Sequence, residues 1–217
     1  MWLETQSTRH IVHLDSSDYV VPWRVDVQAM TDIDDAEGPG AYSIGRLLAD
    51  TLYPYEMAER GVSVWDAADA DSSGLEAAWA SLLDKDGEFR DEEFEALGEP
   101  VVYLYRFALH DDFVQWRMAV MDTFCRMFEN NAVILAQYHT TSFSLVQFEE
   151  LGFRELPETQ FAAPSGFPRI DREVRFMVRD NAKTTSFGLE DYPRDLPDAT
   201  AEHAEWLESR GKWKDLI

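Results

Sequence analysis

The sequence predicts an α/β fold whose mixed sheet contains one parallel strand–helix–strand unit at residues 101–138. The runs VVYLYRFAL (101–109) and AVILAQY (132–138) are short and almost continuously apolar, which is typical of strands buried on both faces. Between them, apolar residues recur every three or four positions from Phe113 to Phe128, which predicts a deeply buried helix. This order implies two neighbouring parallel strands joined by a right-handed crossover.

A second helix is predicted after this unit, from Phe143 to Leu151. Thr140, Thr141 and Ser142 offer N-caps, Gly152 stands where a C-cap glycine belongs, and Phe153 begins a new extended segment. Ligands of such sheets bind beyond the carboxyl ends of the strands, beside a helix N-terminus. We therefore expect any site near His110-Asp111-Asp112 and Tyr138-His139-Thr140.

The N-terminal half predicts strands at 10–14 and 19–30, followed by an acidic loop at 31–40. Pro22 cannot donate to a ladder, so it marks an edge or a bulge of its strand. The run YSIGRLLADTLY (42–53) is ambiguous, because its leucines also fit the period of a helix. Helices are predicted at 54–70, with a break at Gly61, at 73–83 and at 91–97.

Residues 170–179 alternate between apolar and polar side chains, which predicts a half-buried antiparallel strand with its arginines on a solvated face. Residues 1–180 are predicted to form one domain and residues 181–217 a C-terminal extension with a short helix. Asp198 is a candidate cap for a helix at 199–210. Trp206, Trp213, Leu216 and Ile217 predict that the tail docks on its own domain or on a partner subunit, as in a homodimer.

Composition limits the function further. The formal net charge is −23, with 42 acidic against 19 basic residues, which disfavours binding to nucleic-acid phosphates. The acids are dispersed, so a solubilising surface is favoured over a face for a basic partner or a decoy of a nucleic-acid-binding protein. Paired acids such as Asp66 and Asp69 are interpreted as a solvated helix face rather than as catalytic carboxylates.

The single cysteine and the apolar runs complete these limits. Cys125 lies on the apolar helix face and is interpreted as a buried, inert thiol. No apolar run approaches the roughly 20 residues of a membrane span. The segment MWLETQSTRH lacks the apolar region of a signal peptide, so we expect a cytoplasmic protein.

The segment Phe148-Glu149-Glu150-Leu151-Gly152-Phe153 is similar to the "Y-e-k-l-G-F" ending of the GNAT (Gcn5-related) acyltransferases. The order of elements at 100–155 also resembles the second half of that fold. The resemblance spans roughly residues 10–180 and implies a mostly antiparallel sheet with helices on both faces. On this resemblance we predict a strand, not a helix, at 42–53.

The resemblance implies that acetyl-CoA binds between splayed ends of the strands at 101–109 and 132–138. The residues at matching positions would contact this cofactor: Phe107, Leu109, Gln115, Trp116, Arg117, Met118 and Thr141. The family's pyrophosphate loop is Q/R-x-x-G-x-G/A. Gln115 or Arg117 stands for its first position, but no glycine follows either residue at the required spacing. Phe148 stands where many family members carry a tyrosine that acts as general acid.

The resemblance also implies direct attack of an amine on a thioester, with a backbone amide near Phe107–His110 stabilising the intermediate. The candidate catalytic residues follow from the element ends: His110, Asp111, Tyr138 and His139, with Asp112 beside them. The acidic surface favours a cationic amine substrate by steering. The departures from the family pattern favour an alternative, a non-catalytic binding or regulatory protein with the same fold.

Overall fold

The computed structural model describes residues 1–7, 19–30, 40–71, 73–84, 88–90, 94, 100–128, 132–138, 143–156, 175–183 and 196–210. These residues form a seven-stranded mixed sheet with helices on both faces, which confirms the predicted mixed α/β class. The strands are β1 (Trp2–Ser7), β2 (Val21–Met30), β3 (Ala41–Leu52), β4 (Val101–Leu109), β5 (Val133–Gln137), β6 (Phe153–Glu155) and β7 (Phe176–Asp180).

The sheet order is β1-β2-β3-β4-β5-β7-β6. Strands β1 to β4 pair antiparallel in sequence order, and β4 pairs with β5 in parallel. Strand β7 lies between β5 and β6 and is antiparallel to both. The predicted strand–helix–strand unit is therefore confirmed, and the single parallel pair lies near the middle of the sheet.

The helices are α1 (Pro54–Glu59), α2 (Val64–Asp71), α3 (Ser73–Ser81), α4 (Arg117–Cys125), α5 (Leu145–Glu150) and α6 (Ala201–Ser209), with a 3-10 helix at Asp111–Trp116 before α4. Helices α4 and α5 cover one face of the sheet, and α1 to α3 cover the other. Gly61 has a φ of 69° between α1 and α2, so the predicted break lies where a left-handed residue turns the chain.

The predictions for the N-terminal strands had mixed outcomes. The strand at 42–53 is confirmed as β3, because pairing on both sides and burial of residues 44–52 outweigh its helix-like period. The strand expected at 10–14 lies outside the described residues. The first described strand, Trp2–Ser7, was not predicted from its mostly polar sequence. Among the described residues it pairs with β2 alone, so it lies at the edge of the described sheet.

The elements from α4 to β6 are those predicted, with two differences in where the helices begin. The helix begins with a 3-10 turn at Asp111 rather than at Phe113. Ser144 caps α5 through a capping box with Gln147, whereas the predicted caps Thr140 to Ser142 lie outside the described residues. Gly152 ends the helix with a φ of 78°, as predicted.

Strand β7 corrects the prediction of a solvated arginine face. Both of its faces are buried, and Arg179 is only 2% exposed. Its guanidinium donates to the Asp122 carboxylate of α4 at 3.1 Å and to the Leu151 carbonyl at 2.9 Å. The alternating pattern was right about spacing, but it could not show that α4 covers the second face of this strand.

Helix α6 docks on its own chain. Leu207 packs against Leu48 of β3, and Glu208 pairs with Arg46 at 3.2 Å. The N-cap is Thr200, which shares a capping box with His203; the predicted cap, Asp198, was two residues too early. Residues 211–217 and the predicted helix at 91–97, apart from Phe94, lie outside the described residues. No helix in the described ranges has both the length and the apolar character needed to cross a bilayer.

Gly45 in β3 leads to a prediction about stability. A Cβ atom there would lie 2.7 Å from the Ala108 carbonyl oxygen, so Gly45→Ala forces the two strands apart. We expect a loss of about 1–3 kcal/mol in the free energy of unfolding, measured by urea denaturation. Gly40→Ala is the matched control, since nothing lies within 4 Å of its added Cβ. Equal stability of the two variants would contradict this close approach.

Candidate functional site

The parallel strands β4 and β5 pair over four positions, and β5 then ends at Gln137. Their ladder runs from Val101↔Val133 to Leu104↔Ala136, whereas β4 continues to Leu109. At the same point Tyr105 forms a bulge, because Leu48 of β3 is opposite Arg106 while Ala49 is opposite Leu104. A bulge bends its strand and increases the twist. We call the space beyond the last pair the fork between β4 and β5.

Two backbone amides of β4 are directed into this fork. The His110 N–H donates to the Ile44 carbonyl of β3 at 2.9 Å. Backbone groups of alternate residues in an antiparallel pair point to opposite sides, so the N–H groups of Phe107 and Leu109 point away from β3. Both residues were expected to contact a cofactor, and their amides are placed to donate to one.

A polar group lies at the base of the fork, on the face covered by α1 to α3. Asp50 of β3 is opposite Tyr103 of β4, and the Tyr103 hydroxyl donates to Gln137 Oε1 at 3.0 Å. Burial, with a smaller contribution from the Asp71 charge, raises the pKa of Asp50 to about 8. Burial, with a contribution from Asp50, also raises the pKa of Tyr103 and Tyr105. Asp50 is therefore protonated at pH 7.

The opposite face of the fork is aromatic. Phe143 stacks on Phe107 with ring centroids 5.5 Å apart, and Phe143 contacts Phe148 at 5.3 Å. The Arg117 guanidinium lies over the Phe143 ring at 5.6 Å. Phe148 is fully buried, and Tyr138 lies beside it with centroids 6.1 Å apart. The structure thus brings Phe107, Arg117 and Tyr138 around one aromatic cluster.

The remaining residues expected to contact a cofactor are distributed differently. Gln115 is exposed, Met118 is partly buried, and Trp116 belongs to the hydrophobic core. Thr141 and the catalytic candidate His139 lie outside the described residues. Asp111 and Asp112 occupy the first turn of the 3-10 helix. These two carboxylates at the start of the helix oppose the binding of an anionic ligand there.

The catalytic candidate His110 belongs to a cluster that sequence analysis did not predict as a unit. His203 of α6 contacts Asp112 through Nε2 at 3.1 Å, and the rings of His110 and His203 meet edge to face at 4.5 Å. Trp206 packs against His110 with centroids 4.8 Å apart. A ligand atom from each of His110, Asp112 and His203 lies within 4.8 Å of the others.

The hydrogen bonds of this cluster do not fit a metal ion. His203 Nδ1 accepts from the Thr200 N–H at 2.9 Å, so in the neutral ring Nε2 carries the proton and donates to Asp112. His110 Nδ1 accepts from the Asp112 N–H at 3.2 Å. Both imidazole lone pairs are thus bound to backbone amides. We interpret the cluster as a hydrogen-bonded contact that fastens α6 to the end of β4.

Cys125 was predicted to be a buried, inert thiol, and its burial is confirmed. It is completely buried, and burial raises its pKa to about 12. At neutral pH the thiol is protonated, so it is neither a nucleophile nor a metal ligand.

Comparison with known proteins identified no relative. No protein-family model matches the chain, and searches of curated proteins and of solved structures found no match.

Proposed function

We propose that this protein is a GNAT-like N-acyltransferase that takes an acyl thioester such as acetyl-CoA into the fork between β4 and β5. The observation that carries the proposal is the end of the β4–β5 ladder at Leu104↔Ala136, at the bulge in β4, while β4 continues to Leu109. The sheet order and the antiparallel return of β7 between β5 and β6 agree with it. A strand that continues past the end of its parallel neighbour offers main-chain donors to a ligand at the middle of a sheet.

The chemistry expected at the fork is direct transfer. An amine attacks the thioester carbonyl, and the N–H groups of Phe107 and Leu109 are the candidate donors for the developing oxyanion. The departing thiolate needs a proton, which Phe148 cannot give. Tyr138 lies beside Phe148, with ring centroids 6.1 Å apart, and is the candidate acid.

A second candidate function is non-catalytic ligand or protein binding by the same fold. Asp111 and Asp112 favour it, because they place negative charge at the helix start where a pyrophosphate would bind. The stacked rings of Phe107 and Phe143 favour it too, since they cover one face of the fork.

Calorimetric titration with acetyl-CoA, free CoA and desulfo-CoA separates these functions. On the proposal, acetyl-CoA binds in the micromolar range, about −8 kcal/mol. Arg117→Glu adds a negative charge at the start of α4 and should weaken binding at least about tenfold, or about 1.4 kcal/mol. Arg175→Glu is the control, because Arg175 is exposed at the start of β7. Absence of heat at millimolar acetyl-CoA would overturn the proposal in favour of the second candidate.

A further inference from the structure

Asp50 is a buried acid with no counter-charge beside it among the residues that the structure describes. It is 5% exposed, and within the described part of the chain its carboxyl group makes no hydrogen bond or ion pair. A carboxylate in such a place costs several kcal/mol unless something pairs with it. The position lies in the middle of β3, where Leu48 and Leu52 on the same side of the strand are buried apolar residues. A leucine at this position would pack in the sheet without the free-energy cost of burying an acid.

The groups around Asp50 are acidic and aromatic. Asp71 ends α2 and is exposed, and its charge contributes to the raised pKa of Asp50. Tyr103 and Tyr105 of β4 lie beside Asp50, with their ring centroids 5.7 Å apart. The hydroxyl of Tyr103 donates its hydrogen bond to Gln137 Oε1, so its oxygen can still accept one. The charge of Arg106 acts on Tyr105 and opposes the rise of its pKa.

We propose that Asp50, Asp71, Tyr103 and Tyr105 form a binding site for the ammonium group of a small organic amine. A buried carboxylate gives a charge-assisted hydrogen bond to an ammonium group, and tyrosine rings attract a cation through their faces. Hard metal ions prefer six or more oxygen ligands, which two carboxylates at different depths do not supply. The combination of acids with aromatic rings therefore selects an organic cation.

Binding is coupled to proton release. Without ligand, Asp50 holds a proton at pH 7, because burial and the Asp71 charge raise its pKa to about 8. An arriving ammonium ion keeps its own three protons and the Asp50 carboxyl gives one proton to solvent, so a charge pair replaces a neutral acid. The charged and titratable groups that act on this pair are Asp71 from α2 and Tyr103 and Tyr105 from β4.

The cation site does not rest on the proposed acyl transfer. If that transfer also holds, the amine at this site is the acyl acceptor, since Asp50 lies at the base of the fork. Only this assignment of the amine depends on the proposed function. The test therefore uses the protein without acetyl-CoA, and its failure is separate from a failure to bind the thioester.

Titration with n-butylammonium chloride, with butan-1-ol as its neutral isostere, tests the site by calorimetry at pH 7. We expect millimolar binding of the ammonium ion only, with close to one proton released when phosphate and Tris buffers are compared. The affinity should rise about tenfold from pH 6 to pH 7, because the proton that must leave becomes easier to remove. This pH dependence needs no variant, so it stands even where a substitution impairs folding.

Two substitutions complete the test. Asp50→Asn should weaken binding at least tenfold and abolish the proton release. Asp66→Asn is the matched control, since Asp66 is an exposed acid at the other end of α2, and it should change neither quantity. Equal binding of butan-1-ol, or unchanged binding and proton release in Asp50→Asn, would overturn the site.

Discussion

Replacing Asp122 with Asn should lower the free energy of unfolding by about 3–5 kcal/mol, the cost of leaving one member of a buried ion pair alone. Asp122 is 3% exposed and binds two arginines, Arg179 at 3.1 Å and Arg126 at 2.8 Å. After the substitution, the buried Arg179 loses its carboxylate partner, and its described acceptors are neutral: the Leu151 carbonyl, the Asn181 side chain and the amide oxygen of the new asparagine. Urea denaturation at pH 7 measures the difference.

Two further variants show whether burial is the cause. In Arg179→Met the carboxylate of Asp122 keeps Arg126, which reaches solvent, so we expect a smaller loss than in Asp122→Asn. Glu155→Gln breaks an exposed pair with Arg175 and should cost less than about 1 kcal/mol. A loss in Asp122→Asn no greater than in Glu155→Gln would show that the ion pair is not a main support of the contact between α4 and β7.

The central part of the fold could be predicted because its apolar runs, its helix period and its helix-ending glycine all indicate the same elements. β4 and β5 are apolar runs, the helix between them has the right period, and Gly152 ends α5. β3 was different, because its local pattern also fitted a helix and the choice of a strand rested on the family resemblance alone. β1 was missed because the sequence WLETQS carries little apolar signal and its stability comes from pairing with β2.

The site could be predicted only in part. The ends of the predicted elements led to His110 and Tyr138. The side chains that surround such positions come from distant parts of the chain. His203 lies 91 residues from Asp112, and Arg179 lies 57 residues from Asp122. Contacts between residues so far apart in the chain produce no periodic pattern in the sequence. Asp50 left one signal in the sequence. It is the single acid between Ile44 and Leu52, where five of the nine residues are apolar.

Asp50→Asn should make the protein more stable than the unsubstituted chain at alkaline pH, and the gain should grow between pH 4 and pH 8. Burial raises the pKa of Asp50 to about 8 in the folded protein, from an ordinary value of 3.8 that stands for the unfolded chain. Between these values the folded state binds more protons than the unfolded state, so the free energy of unfolding falls as pH rises. The slope is at most about 1.4 kcal/mol per pH unit, and asparagine removes it.

The measurement is the difference in unfolding free energy between the two proteins at pH 5, 7 and 9, since other acids contribute equally to both. Asp66→Asn serves again as control, and its difference should stay constant across this range. A constant difference for Asp50→Asn as well would mean that Asp50 is charged in the folded protein at neutral pH. A rising difference together with lost butylammonium binding would show that this acid lowers stability and serves recognition, because selection tolerates such a cost at a functional site.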